Sequence, residues 1–341
     1  HGREVSDGQM VEEEIALGLM AEELGFDELW PVEHHFTDYA ACPDNAQFLA
    51  YMAARTSRIK LATGAVILPW NQPVRVAEKL VMLDYLSGGR AVFGMGRGLA
   101  RCEYEGIGIP MEESRDRFDE AAPLIMEALE SGIIENTNPT HYPQARTEIR
   151  PEPRGSFRER SYAVGMSPES VIAAARLGVQ VLLFSNRPDE ALAEAVAVYN
   201  ENYREHHDGQ PLPPRVCDFM YCSETPEDGV EIGEPAIANY FVSVMNHYEL
   251  LGDHFPRGYQ SYQEQSAALK EAGKDKSCAD YVAVQSCGTP DAIIERLRAR
   301  REVIGDFELN VCARFGGLSM EQAGASLRRF ATEVLPSLRG R

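Results

Sequence analysis

The sequence is short of positive charge. Its 33 lysines and arginines face 53 aspartates and glutamates, giving a formal charge of −20 over 341 residues and an isoelectric point near 4.9. A field of that sign repels polyanions, which argues against nucleic acid and anionic membrane surfaces as partners, and no basic patch offsets it. Long apolar runs are missing as well: none approaches the roughly 20 residues needed to cross a bilayer, and the first residues lack the basic, apolar and small succession of a signal peptide. A cytoplasmic location is the expectation. Cysteine is sparse and unpatterned. The seven residues Cys42, Cys102, Cys217, Cys222, Cys278, Cys287 and Cys312 are odd in number and include no Cys-x-x-Cys pair. Neither a zinc site nor a disulfide framework is indicated, and most read as reduced, small apolar core residues.

What is present is the composition of an ordinary soluble enzyme, 44% hydrophobic and 25% charged,. Length alone is compatible with two medium domains or one large α/β barrel. The pattern decides between them. Val11, Ile15, Leu19, Met20 and Leu24 recur at helical spacing and Gly25 ends the run, which predicts a helix over Ser6–Leu24,. Phe26–Val32 is apolar but too brief for a helix and reads as a strand. The alternation continues with a helix through Phe48 and Met52, a strand over 58–67, a helix over Gln72–Leu86 and a strand over Arg90–Gly96. A helix over Glu112–Gly132 follows, then an excursion rich in Pro, Asn, Thr and Arg over Asn136–Arg160,. Tyr162–Met166 resumes a strand, Ser167 caps a helix with Pro168 in its first turn, and Val179–Phe184 is a further buried strand,. A helix over Asp189–Tyr203, a strand over Arg215–Cys222 and a helix within Ile232–Leu251 come next. Asp253–Asp280 is polar, rich in Lys, Gln and Gly and without clear periodicity, and reads as a long loop of the kind that serves as a lid or is disordered,. Thr289 and Pro290 open a helix to Arg301, Asp306–Arg314 is the last strand, and Met320–Leu338 the closing helix,.

Strands alternating with helices and no domain linker predict one domain over 1–341 with a parallel sheet covered by helices. A closed (β/α)8 barrel is favoured over an open doubly wound sheet because polar residues recur at many strand ends. Seven strands can be counted. An eighth is expected before the first helix, where His1–Val5 is too short and too polar, so either the chain as given lacks a leading strand or the barrel is atypical.

The phrase Trp30-Pro31-Val32-Glu33-His34-His35-Phe36 ends a strand in two histidines, at the barrel face where active sites lie. Successive strand residues face opposite ways, so the two imidazoles do not aim at one atom, and a zinc site built from this pair is disfavoured. One ring is expected to face the mouth and the other to pack. Taken alone, the pair reads more readily as satisfying local hydrogen bonds than as functional.

The longer phrase Gly25-Phe26-Asp27-Glu28-Leu29-Trp30, followed by Glu33-His34-His35-Phe36-Thr37, resembles the bacterial luciferase-like, flavin-dependent monooxygenases. Further stretches agree in order: Thr63-Gly64-Ala65-Val66-Ile67-Leu68-Pro69 with Pro73-Val74-Arg75, Gly88-Gly89-Arg90 with Gly94-Met95-Gly96-Arg97-Gly98-Leu99, and Met111-Glu112-Glu113-Ser114-Arg115. So do Ser167-Pro168-Glu169-Ser170, Arg257-Gly258-Tyr259, Gly288-Thr289-Pro290 and the tail from Arg328 to Pro336. The resemblance covers nearly the whole chain and looks closest to the luciferase catalytic subunit and its relatives.

The resemblance implies a (β/α)8 barrel binding reduced FMN (FMNH2) across the strand ends, with His34 as the catalytic base near the flavin. It implies that Arg97, Glu169 and Ser170 meet the FMN phosphate, Glu169 mainly through its backbone N–H, and that Leu99 and Phe184 touch the flavin region. Gly64-Ala65 matches a point where the family often has a non-prolyl cis peptide beneath the ring. The Asp253–Asp280 segment matches a mobile loop that closes over the flavin. The implied activity is that of a two-component monooxygenase, in which a separate NAD(P)H-dependent flavin reductase supplies reduced FMN and O2 oxygenates a small organic substrate through a C4a-peroxyflavin. Ala100 stands where luciferases carry a tyrosine, and Phe184 where they carry a Ser-Trp pair, which weighs against a long-chain aldehyde. A homodimer through Gln47–Thr56 and Val74–Leu86 is implied; on the reading of the cysteines and of the histidine pair, no metal is expected. Two alternatives remain open: an F420-dependent oxidoreductase on the same barrel, and a non-catalytic flavin-binding subunit.

Overall fold

The computed structural model describes residues 5–252, 254–256 and 258–339. Asp253, Arg257 and all of His1–Val5 except Val5 therefore lie outside the described residues. The N-terminal half runs α1 (Asp7–Glu23), β1 (Glu28–Leu29), α2 (Asn45–Arg55), β2 (Lys60–Ala62), β3 (Val66–Ile67), α3 (Pro73–Ser87), β4 (Ala91–Gly96), α4 (Arg101–Ile107) and α5 (Ser114–Ser131). A hairpin of β5 (Ile133–Asn136) and β6 (Gln144–Glu148) leads to β7 (Ser161–Val164), α6 (Pro168–Leu177), β8 (Gln180–Phe184), α7 (Asp189–His206), β9 (Arg215–Phe219) and β10 (Tyr221–Cys222). The single turn α8 (Pro226–Asp228) and α9 (Glu234–His247), α10 (Gln260–Ala272) and α11 (Lys274–Ala283) follow. The chain ends with β11 (Cys287–Gly288), α12 (Pro290–Ile304), β12 (Glu308–Cys312), α13 (Met320–Arg329) and α14 (Leu335–Arg339).

Seven parallel strands run in the order β1-β2-β4-β7-β8-β9-β12, with β3 adding a second pairing to β4. The sheet curls around an interior, as a (β/α)8 barrel does, with one seam. β1 and β12 are its two edges, and both line a cavity of about 1840 Å³.

Alternation along each strand builds two cores. Leu61, Phe93, Ala163, Val181 and Val216 face the helices and join the large outer cluster. Their neighbours Ala62, Val92, Tyr162 and Leu182 face inward, where Trp30, Val164, Phe184 and Cys217 fill the barrel with them. Trp30 stacks on Tyr162 with ring centroids 4.2 Å apart. Gly94 is needed at its place on β4, because a Cβ there would stand 2.0 Å from the Thr63 carbonyl oxygen and from the Tyr162 ring. The amino end of the barrel is closed by Arg215, 5% exposed, which bonds Gln180 at 2.8 Å and pairs with Glu28 at 2.6 Å and Glu308 at 3.0 Å.

Three sequence expectations change. The Asp253–Asp280 segment is not one structureless loop: α10 fills most of it and α11 its last part. Their buried positions include Tyr262 with Ser266 and Ser277 with Tyr281, a helical spacing that small polar residues hide. The predicted strand over 58–67 is two strands, β2 and β3, parted at a cis Gly64-Ala65 peptide. The Asn136–Arg160 excursion is not wholly irregular, since β6 folds back on β5. All seven cysteines are free, but only Cys222 is fully buried and the others are half-buried.

Candidate active site at the strand ends

The site is assembled where β1, β3, β4 and β7 end. After β1 the chain is pinned by Glu33, whose buried carboxylate accepts the Ile67 N–H at 3.0 Å, Trp70 Nε1–H at 2.7 Å and Asn71 Nδ2–H at 2.9 Å. That fixes the two histidines that follow. His35 turns back, its Nε2 3.4 Å from Glu33, a contact that, against burial, raises its pKa. His34 goes the other way and lines the cavity. The two imidazoles meet different carboxylates, although both residues lie beyond the end of β1 and not on a strand.

His34 does not stand alone. Its Nδ1 lies 2.9 Å from Glu103 Oε1, and the same oxygen accepts the His35 N–H at 2.7 Å. His247, at the end of α9, brings Nε2 to 3.7 Å from that oxygen, while its Nδ1 is 3.1 Å from Thr37 Oγ1 and its ring stacks on Tyr39. Burial, helped by His34, pushes the His247 pKa down to about 4, against the opposing charge of Glu103. His34, Glu103 and His247 place ligand atoms within 4.8 Å of one another, a set with spacing a metal could bridge. The 2.9 Å His34–Glu103 separation is that of a charge-assisted hydrogen bond. It is shorter than the ligand–ligand edge of about 3.3 Å in tetrahedral zinc.

A second group forms at the end of β4. Arg97, 9% exposed, follows β4, and Gly98 beside it has φ +77°, so the turn needs glycine,. Its guanidinium donates to the Gly258 carbonyl at 3.2 Å and lies 4.0 Å from the Tyr259 ring centroid. Tyr259 in turn bonds Ser114 Oγ at 2.7 Å. Arg115 reaches Ser170 Oγ at 3.3 Å, and burial together with the charge of Arg97 lowers its pKa. Ser167 caps α6 as expected, accepting the Ser170 N–H at 3.4 Å. Glu169 is exposed, and although burial opposes it, the backbone amide, Ser167 and the two arginines bring its carboxyl below the usual range. Two guanidiniums and the first turn of a helix thus converge on one spot, the charge pattern that suits a dianionic phosphate.

Of the residues singled out from sequence, Arg97, Glu169 and Ser170 are brought together. Gly64 joins the end of β1 through its N–H bond to the Pro31 carbonyl at 2.9 Å, and the buried Ala65 offers its carbonyl to Asn45. Leu99 packs on the cluster around Tyr104 and Met111, whereas Phe184 packs on the inner barrel cluster of Ala62, Val92, Tyr162 and Leu182. Sequence reasoning missed Arg115, although it lies in a quoted motif, and missed Glu103 and His247. Thr289 sits at the N-cap of α12 with Pro290 next, but its side chain makes no capping bond.

Known proteins agree with this architecture. The sequence profile described as luciferase-like monooxygenase matches residues 1–306. The alkanal monooxygenase alpha chain of Photobacterium leiognathi is 26% identical over 98% of this chain and 95% of its own length. Limonene 1,2-monooxygenase of Rhodococcus erythropolis is 27% identical over 97% and 82%. Among solved structures, monooxygenase RslO1 from Streptomyces bottropensis superposes with a TM-score of 0.80 at 26% identity, covering 99% of this chain and 96% of that one. Two more distant structures share the fold. One is the oxygenating constituent of 3,6-diketocamphane monooxygenase of Pseudomonas putida in complex with FMN, with TM-score 0.75, 18% identity and coverage of 98% and 96%. The other is the coenzyme F420 dependent tetrahydromethanopterin reductase of Methanopyrus kandleri, with TM-score 0.71, 17% identity and coverage of 96% and 96%. With its barrel, its histidine-bearing strand end and this profile match in agreement, the chain belongs to the luciferase-like monooxygenases.

Proposed function

We propose that the chain is a two-component monooxygenase that takes reduced FMN from a separate NAD(P)H-dependent flavin reductase and uses O2 to oxygenate a small organic substrate. The observation that carries this reading is the convergence of Arg97, Arg115 and Ser170 at the first turn of α6, at the same barrel face as His34. Arg97 and Arg115 would hold the FMN phosphate, with Ser170 Oγ and the α6 amides completing the cradle. Bound reduced flavin supplies the electrons that activate O2, so that one oxygen atom goes to substrate and the other leaves as water. His34 would move the proton at the reacting end, its Nε2 being free of the carboxylate that holds Nδ1. The segment from Gly258 through α11 would act as the lid, since Gly258 and Tyr259 already rest on Arg97 and exclude water from that end,. Ala100 is fully buried and Phe184 fills the barrel, which favours a compact substrate over a long-chain aldehyde.

The test is anaerobic titration with reduced FMN, followed by admission of O2 with carbonyl and electron-rich substrates present. Saturable binding and oxygen uptake by the purified chain alone are expected, and the latter separates it from a non-catalytic subunit. No binding of reduced FMN, or turnover of reduced F420 under argon, would instead favour hydride transfer on the same barrel.

A further inference from the structure

Glu103 occupies the first turn of α4 and is 1% exposed. A buried carboxylate is costly unless it is paired and hydrogen-bonded. Here one oxygen meets His34 Nδ1 at 2.9 Å and the His35 N–H at 2.7 Å, with His247 Nε2 at 3.7 Å. Burial would push the carboxyl pKa up, but His34 and the His35 amide outweigh it and bring it below the ordinary value. Glu103 is therefore an ionised acceptor. An ionised carboxylate at Nδ1 selects the tautomer whose proton sits on Nδ1, and the lone pair is left on Nε2. That nitrogen lies on the other side of the ring, 3.5 Å from the Tyr248 hydroxyl.

The rings around the dyad hold its geometry. Tyr39 and His247 meet the His34 ring edge-on, at centroid distances of 4.9 and 5.2 Å, and Tyr248 at 6.2 Å. His35, joined to Glu33, flanks it along the chain. His247 stays neutral at physiological pH because burial disfavours its charged form, so it does not compete for the Glu103 charge.

We propose that Glu103 is the positioning residue for His34, holding Nδ1–H so that Nε2 is presented as the base and compensating the imidazolium when it forms. This rests on the reading of His34 as the base. In that step a proton passes from an acidic X–H group of the substrate to Nε2, and the X–H electron pair stays on X. The imidazolium then faces an ionised Glu103, which is not itself protonated. The proton is returned in the closing step, so the dyad is unchanged over a turnover. The arrangement parallels the carboxylate–histidine pair of serine proteases, where replacing the carboxylate by its amide costs about 10⁴-fold by admitting the wrong tautomer.

The variants that test this are Glu103→Leu, which removes both the acceptor at His34 Nδ1 and the charge, and Glu103→Asp, which keeps both. The imidazole of His34 is read directly by ¹⁵N NMR of histidine-labelled, flavin-free protein, its signal assigned with His34→Gln. Glu103→Leu is expected to deplete the Nδ1–H tautomer and to lower turnover by about 10²- to 10⁴-fold, with reduced-FMN affinity changed by less than about threefold. Glu103→Asp is expected to restore the tautomer and at least about tenfold of the lost turnover. An unchanged tautomer in Glu103→Leu, or a loss of turnover matched by an equal loss of flavin affinity, overturns the proposal. Because the NMR signal is read without flavin, a depleted tautomer in a chain whose wild type takes up no oxygen overturns the monooxygenase reading and leaves the placement of Glu103 standing.

Discussion

At the scale of single residues, the two arginines divide one task. Arg115 is packed closely enough to Arg97 that the Arg97 charge adds to burial in lowering its pKa, an arrangement that an anion between them stabilises. Charge-assisted hydrogen bonds contribute about 1.5–3 kcal/mol each, so Arg97→Ala or Arg115→Ala should weaken reduced-FMN binding by about 10- to 100-fold. Reduced riboflavin, which has no phosphate, should bind wild type and both variants alike in the same anaerobic titration. Equal losses for the two flavins would place the arginines elsewhere. Arg97 was legible because it stands between glycines after an apolar strand. Arg115 was not, because a cation within a helical run of alternating charge has no distinguishing local signal. Glu103 and His247 were hidden for a related reason: they lie 69 and 213 residues from His34, and only the barrel brings them to it.

His247 also makes stability depend on pH. Its folded pKa, about 4, is below the ordinary value of 6.5, so between those values the unfolded chain binds a proton that the folded chain does not. Stability is fully present above pH 6.5 and is lost as pH falls through the window to 4. The loss is bounded by about 3 kcal/mol. Urea midpoints measured across that window should decline in wild type and decline less in His247→Asn. Parallel curves for the two proteins would show that other groups carry the acid sensitivity.

Among the elements, the segment after α9 shows how far periodicity reaches. Tyr262 and Ser266, then Ser277 and Tyr281, are the buried positions of α10 and α11, and serine in place of an aliphatic residue erased the apolar stripe. Ser167 with Pro168, by contrast, marked the start of α6 unambiguously, because a cap is a local chemical device. Strand lengths were overstated for the same physical reason: apolar character extends into turns, so β1 is two residues long where seven were expected. The element-scale prediction concerns Tyr259, whose ring covers Arg97 and whose hydroxyl bonds Ser114. A cation–π contact of this kind is worth about 0.5–2 kcal/mol. Tyr259→Ala should therefore speed hydrogen exchange over residues 258–283, and reduced FMN should restore protection in wild type more than in the variant. Unaltered exchange in the variant would mean that this contact does not hold the segment down.

For the molecule as a whole, alternating strands and helices made the curled parallel sheet legible, since a strand buried on both faces and followed by a helix leaves few other arrangements. The interior filling was not legible. Which of two adjacent apolar residues faces inward depends on register, as Leu61 and Ala62 illustrate. The exterior carries a further clue. Tyr51 on α2 and Met82, Tyr85 and Leu86 on α3 are 40–51% exposed, an apolar face where the family resemblance implies a homodimer. Charged substitutions there, such as Met82→Glu with Leu86→Glu, should shift the sedimentation coefficient from dimer to monomer without loss of helical circular dichroism. A wild type that sediments as a monomer would remove this interface from the account.

The proposed role of His34 is to govern what happens when O2 meets bound reduced flavin. It is tested most directly by stopped-flow absorbance after mixing the reduced-FMN complex with oxygenated buffer. Flavin reoxidation in wild type is expected to be slower than for free reduced FMN and to pass through a spectrally distinct phase, and His34→Ala is expected to shorten that phase while still binding the flavin. Reoxidation indistinguishable from free flavin in wild type, or an identical time course in His34→Ala, would contradict it.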